Sequence, residues 1–154
     1  LRLANERGVS EDITYIEDAY VVQLLESDRF EQARAWLALR VLAPGVSTAQ
    51  AHERIGWTAL HGAEALMGLG RLEEAEGQAR RALASYEASG RHDLVIAAAV
   101  GLGAVLQERS RTGEAEEVLR RALRLCGENA IDRARMRDRL DCTLASVLMD
   151  RGLF

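Results

Sequence analysis

Residues 71–83, RLEEAEGQARRAL, and 111–123, RTGEAEEVLRRAL, share Arg, Glu-Ala-Glu and Arg-Arg-Ala-Leu at a constant offset of 40 residues. The same frame fits an earlier stretch, RFEQARAWLALRV, in which Arg29, Phe30 and Ala33 stand where Arg71, Leu72 and Ala75 stand 42 residues later. Self-similarity at this period is the mark of a stacked repeat, in which each unit buries its apolar face only against its neighbours. The charged helix at residues 111–123 is therefore read as one copy of a larger design.

The rest of the chain agrees with a helical repeat. Its single proline is Pro44, and β-branched residues nowhere alternate with polar ones over a useful length, so no strand is expected. Start and stop residues divide the sequence into seven helices. Ser10 opens the first, toward Ser27. Asp28-Arg29-Phe30-Glu31 has the side chains of a capping box and opens the second, to about Ala43, before the break at Pro44-Gly45. Ser47-Thr48-Ala49-Gln50 is a further capping box and starts the third, ending at Gly70. The others span about Leu72 to Ser89, Asp93 to Ser110, Gly113 to Cys126 and Ile131 to Arg151. Connections this short make successive helices antiparallel.

Composition limits the chemistry. The 154 residues suit one domain, residues 1–154, with 48% hydrophobic and 29% charged residues and a net charge of −4. A nucleic-acid partner is not expected, because phosphate binding calls for a concentrated basic excess. All twenty basic residues are arginine, which excludes Schiff-base lysine chemistry and the lysine of a phosphate loop. Cys126 and Cys142 read as reduced thiols of a cytoplasmic protein. The longest apolar run, Leu94 to Leu106, is shorter than the roughly 20 residues of a membrane span.

No catalytic, metal or cofactor constellation is expected. His52, His61 and His92 lack the i, i+4 spacing of a helical metal pair. His61 and Glu64 share a helix face, but neither a nucleophile nor a third member accompanies them. Gly101-Leu102-Gly103 lies inside an apolar helix and serves close packing rather than phosphate. Glu76 and Glu116 precede Arg80 and Arg120 by four residues, the spacing of a solvated helix face.

Within the repeat frame, Ala33, Ala75 and Ala115 recur early in each second helix. Leu37, Ala79 and Leu119 follow, and then Ala82 and Ala122. The first helices supply Tyr20, Val21 and Leu24; Gly62, Ala63 and Leu66; Leu102, Gly103 and Leu106; Leu144, Ala145 and Leu148. In these residues the chain resembles the tetratricopeptide repeat family, in a form longer than its usual ~34 residues. The resemblance implies an all-α, right-handed superhelical solenoid of about three and a half helical hairpins, whose first helices line a concave groove. Leu144 to Phe154 matches the start of a fourth repeat, which leads us to expect a fragment of a longer protein.

Carried onto this chain, the groove positions are Tyr15, Asp18 and Val22, then Trp57, Leu60 and Glu64, then Ala97, Val100, Ala104 and Gln107, and finally Arg139, Cys142 and Ser146. Trp57 reads as part of the core between repeats ahead of the alternative, a binding anchor in a pocket. The Arg-, Ala- and Glu-rich repeats are similar to the sensor regions of large ATP-dependent LuxR-type bacterial transcription activators. The implied role is non-catalytic binding of a protein or peptide, or of a small-molecule effector. A scaffold that dimerises through its C-terminal helix is the alternative.

Overall fold

The structure is a computed structural model that describes residues 15–39, 47–125, 131–150 and 152. Seven helices account for nearly all of them. They are α1 (15–26), α2 (Phe30–Ala38), α3 (Thr48–Gly68), α4 (Leu72–Ser89), α5 (His92–Glu108), α6 (Thr112–Leu125) and α7 (Ile131–Asp150), with no strand among the described residues. The expected start at Ser10, the break at Pro44-Gly45 and the ends at Ala43, Cys126 and Arg151 lie outside the described residues.

One turn builds each hairpin. Asp28, Gly70, Ser110 and Gly152 all have left-handed backbone, with φ of 56°, 73°, 59° and 66°. Around the first three, the following arginine N–H (Arg29, Arg71, Arg111) reaches back to Leu24, Leu66 or Leu106 O at 2.8 Å. The left-handed residue itself donates to the carbonyl three residues before it, at 2.8–3.1 Å. This pair of bonds closes a helix with an αL residue after its last turn. The turn thus repeats with the period read in the sequence.

That turn corrects the expected start of α2. Asp28 does not cap it; the N-cap is Arg29, which makes no side-chain cap bond. An arginine has no acceptor to offer a helix N-terminus, so Arg71 and Arg111 instead clamp the third helical residue. Arg71 holds Glu74 through two bonds of 2.7 Å, and Arg111 holds Glu114 through two of 2.6 Å. The capping box at Ser47 forms as expected, with Gln50 N donating to Ser47 Oγ at 3.2 Å and Ser47 N to Gln50 Oε1 at 3.0 Å.

Small residues hold the hairpins together. Ala33, Ala75 and Ala115 are fully buried, as are Ala79, Leu119 and Ala82. Glycines set the closest approaches. A Cβ on Gly56 would meet the Tyr86 ring at 2.5 Å, and one on Gly103 would meet Leu119 at 3.2 Å. The expected first-helix column is met at Val21, Leu24, Ala63, Leu66, Leu102, Leu106 and Leu144, whereas Tyr20 remains 37% exposed.

Each helix from α2 to α7 packs on the next, and α3 also touches α5, and α5 touches α7. Among the described residues no comparable packing joins α2, α4 and α6 to one another, and α4 and α6 are bridged by long side chains, Arg121 to Glu87 at 2.9 Å and Arg80 to Glu114 at 3.5 Å. First helices therefore crowd on the inside of the curve and second helices splay on the outside, forming an all-α solenoid. No helix among the described residues is long and apolar enough to cross a membrane.

Candidate interaction surface

The inner surface is built on α5, where the residues between 97 and 104 that reach the surface are no larger than valine, Leu102 being fully buried. Ala97, Val100, Gly101 and Ala104 are each half-buried. Leu60 of α3 leans over Gly101, so close that a Cβ there would lie 2.8 Å from Leu60 Cδ1. On the other side, Gln107 Nε2 donates to Ser146 Oγ of α7 at 2.9 Å and also to Asp150 Oδ2. The expected residues Leu60, Val100, Gln107 and Ser146 are thus brought into one strip across three first helices. Asp150, which ends the strip with an exposed carboxylate, was not anticipated.

The other expected positions fall elsewhere. Trp57 is half-buried against the cluster of Val21, Leu24, Leu25, Ala33, Leu37 and Ala65, which makes it part of the core that joins α1 and α2 to α3. Its indole stacks on His61 at 4.0 Å, and His61 Nδ1 lies 2.9 Å from Trp57 O. Glu64 is exposed and Asp18 half-buried. Tyr15 and Val22 are 76% and 37% exposed near the N-terminal end. Cys142 is exposed and free, and the side chain of Arg139 lies outside the described residues.

A charged cluster that sequence reading took for a solvated helix face joins the second and third repeats. Glu76 is only 7% exposed. It accepts from Arg80 at 2.9 Å, from Arg111 at 2.6 Å and from Arg109. Burial pushes its carboxyl up, but Arg80, Arg111 and Arg109 together outweigh that and hold it below the ordinary glutamate value. The i, i+4 spacing signals only the Arg80 bond. The partners 33 and 35 residues away come from the turn before α6.

Two depressions mark the described surface outside this strip. One, of about 30 Å³ between Leu83, Val95, Ala99, Val118 and Ala122, has the volume of a single water. The other, of about 450 Å³, lies over Gly70, Arg71, Leu72, Glu73, Glu74 and Arg109 and is open to solvent. Its arginines are already paired with Glu74 and Glu76. No group of three or more metal-ligating side chains is found among the described residues.

Residues 54–128 match the tetratricopeptide repeat family. The match covers most of α3 and all of α4 to α6. Among solved structures, a tetratricopeptide-repeat-like protein from Chlorobium tepidum TLS shares the fold at a TM-score of 0.59. It has 19% sequence identity, over 86% of this chain and 92% of that one. No curated protein matches the sequence. The tetratricopeptide repeat fold suggests a protein-interaction module.

Proposed function

We propose that this chain is a non-catalytic module that holds a protein or peptide segment against its row of first helices. The observation that carries the reading is the strip from Leu60 over Val100 and Ala104 to Gln107 and Ser146. Small apolar residues there let another chain approach α5 closely, and the polar end supplies a donor–acceptor row and a carboxylate to fix its register. Neither of the two depressions described above favours a small-molecule effector, since one has the volume of one water and the other is lined by ion-paired side chains.

The module acts in the cytoplasm as the interaction or sensor region of a larger bacterial transcription regulator. Similarity of its Arg-, Ala- and Glu-rich repeats to LuxR-type activators supports this placement. An NTPase domain encoded upstream and a helix-turn-helix downstream are expected, and a gene without them removes it. The alternative, a scaffold that dimerises through α7, draws on Met149, which is 61% exposed.

A photo-crosslinking residue at Ala104 tests the groove directly, with one at Arg121 on the outer helices as reference. Crosslinks in the host cell to one protein, formed from position 104 and absent from position 121, are expected. Crosslinks confined to position 121 would place binding on the outer surface.

A further inference from the structure

We infer that the segment held in the groove is basic, a peptide whose arginine or lysine side chains enter between Glu64 of α3 and Asp150 of α7. This rests on the groove proposed above and names the chemistry of its occupant. Glu64 stands in α3 where Ala104 stands in α5 and Ser146 in α7, at offsets of 40 and 42 residues. It is the only exposed residue of α3 between Ala51 and Met67, since α2, α4 and α5 pack on the other sides of that helix. Asp150 closes the opposite wall, exposed and oriented by the bond from Gln107 Nε2. A side chain laid over Ala104 thus has a carboxylate on either side of it.

Charge is divided between the two rows of helices. Among the described residues, α1, α3 and α5 carry seven carboxylates against one arginine, Arg54, whereas α2, α4 and α6 carry eight against six. Six of the eight outer carboxylates, Glu76 among them, are ion-paired. By contrast Glu64, Glu108 and Asp150 make no ion pair among the described residues. The arginines of α7 all precede Leu140, so the nearest lies about 16 Å before Asp150 along the helix and belongs to the other rim.

The helix ends point the same way. First helices run parallel, so their C-terminal ends, each carrying about half a negative charge, share one rim of the groove. Cations stabilise such an end, yet α3, α5 and α7 place no basic residue in their last turns. At one repeat position α1, α5 and α7 place exposed acids instead, Glu26, Glu108 and Asp150. In the turns after α3 and α5, Arg71, Arg109 and Arg111 are held by Glu74, Glu76 and Glu114 of the outer helices. Acids set against the helix dipole three times over are unfavourable to the helices themselves, and a cation brought by a partner relieves them.

The test is fluorescence anisotropy of the intact chain with a labelled peptide of alternating alanine and arginine, its citrulline counterpart serving as the neutral reference of the same shape. Saturable binding of the arginine peptide is expected, with the citrulline peptide weaker by at least about tenfold. Glu64→Gln and Asp150→Asn should each weaken it by about threefold, and the two together by about tenfold. Glu73→Gln, the same loss of charge on the outer helix α4, should leave it unchanged. The inference is overturned by equal binding of the two peptides, by indifference to Glu64→Gln and Asp150→Asn, or by no binding up to about 1 mM. An equal loss with Glu73→Gln would overturn it by reducing the effect to net charge, and a dimer that Glu64→Gln dissociates would make a second copy the occupant. A lower melting temperature of Asp150→Asn would do so by giving that carboxylate a role in the fold. Crosslinking from position 104 keeps this inference apart from the groove itself. Crosslinks that persist in the double variant leave the groove standing and remove its basic occupant, whereas their absence in wild type removes both.

Discussion

Glu76 of α4 and Arg34 of α2 occupy the same place in successive repeats, 42 residues apart. Glu76 is buried among three arginines, whereas Arg34 makes one 3.1 Å pair with Glu31, both side chains about half exposed or more. The turn before each helix is the same, and so is the buried alanine one residue earlier, Ala75 or Ala33. Backbone geometry and small-residue packing are therefore properties of the repeat, while electrostatics belong to the individual joint. The central joints are closed by alanine contacts and a buried carboxylate. The N-terminal hairpin instead keeps its ion pair in solvent, where such pairs contribute little, and its aromatics at the surface.

Reversing the two kinds of surface gives the largest contrast. Ala115→Arg forces a long charged side chain into a close helix contact and is expected to cost at least about 3 kcal/mol or unfold the protein. Leu39→Arg, which restores the residue of the other repeats at an exposed site, should change stability by less than about 0.5 kcal/mol. Urea denaturation of the two variants measures the difference. Equal midpoints would mean that the repeat register is wrong.

The charged joint comes next. Glu76→Gln leaves Arg109 and Arg111 without their carboxylate and should cost about 1–3 kcal/mol at neutral pH, against almost nothing for Arg34→Gln. Because the folded carboxyl is held below its ordinary value of about 4.3, the unfolded chain takes up the proton first as pH falls. The stabilisation is thus complete above about pH 4.3 and is lost as pH falls through the lowered folded value. Thermal melts from pH 7 to pH 2 should show the gap between wild type and Glu76→Gln closing on the acid side. A gap independent of pH would remove the ion cluster as its cause.

Tyr86 gives the opposite pH dependence on the same helix. Burial, with smaller contributions from Glu53, Asp18 and Asp93, pushes its phenol up to about 12. The unfolded tyrosine ionises near 10, so the stabilisation is intact below that pH and is lost as pH rises toward about 12. Melting temperature should fall more steeply over this interval in wild type than in Tyr86→Phe. Identical slopes would show that the ring is not held against Gly56 in a dry seam.

How much of this was legible in the sequence follows from the range of each interaction. Ala33, Ala75 and Ala115 could be found because a stacked repeat makes the same contacts at fixed spacing, and the seven helices because capping residues and glycines punctuate the chain. Asp28 misled because aspartate favours both the N-cap and the left-handed turn, and only the bonds to Leu24 and Leu25 distinguish them. The burial of Glu76 depends on arginines in another repeat. In the groove, the first-helix positions could be chosen from the period, but the Gln107–Ser146 bond required α5 and α7 to be neighbours. The exposure of Tyr20 and Trp36 on the N-terminal hairpin was hidden for a related reason, since a helical pattern marks which side is apolar without saying whether a neighbour covers it.

The smallest effect separates the turns themselves. Gly70 adopts the left-handed conformation without a side chain, whereas Ser110 does so at a φ of 59° with a Cβ that crowds its own carbonyl. Ser110→Gly should stabilise the protein by about 0.5–1 kcal/mol, the relief of that strain less the greater flexibility of glycine in the unfolded chain. Asp28→Gly should gain less, because aspartate tolerates this region better than serine does. A rise in melting temperature for Ser110→Gly that exceeds the rise for Asp28→Gly would confirm that one turn, differently strained, joins the helices of each hairpin. Destabilisation by Ser110→Gly would show instead that the serine hydroxyl contributes to the joint between the third repeat's helices.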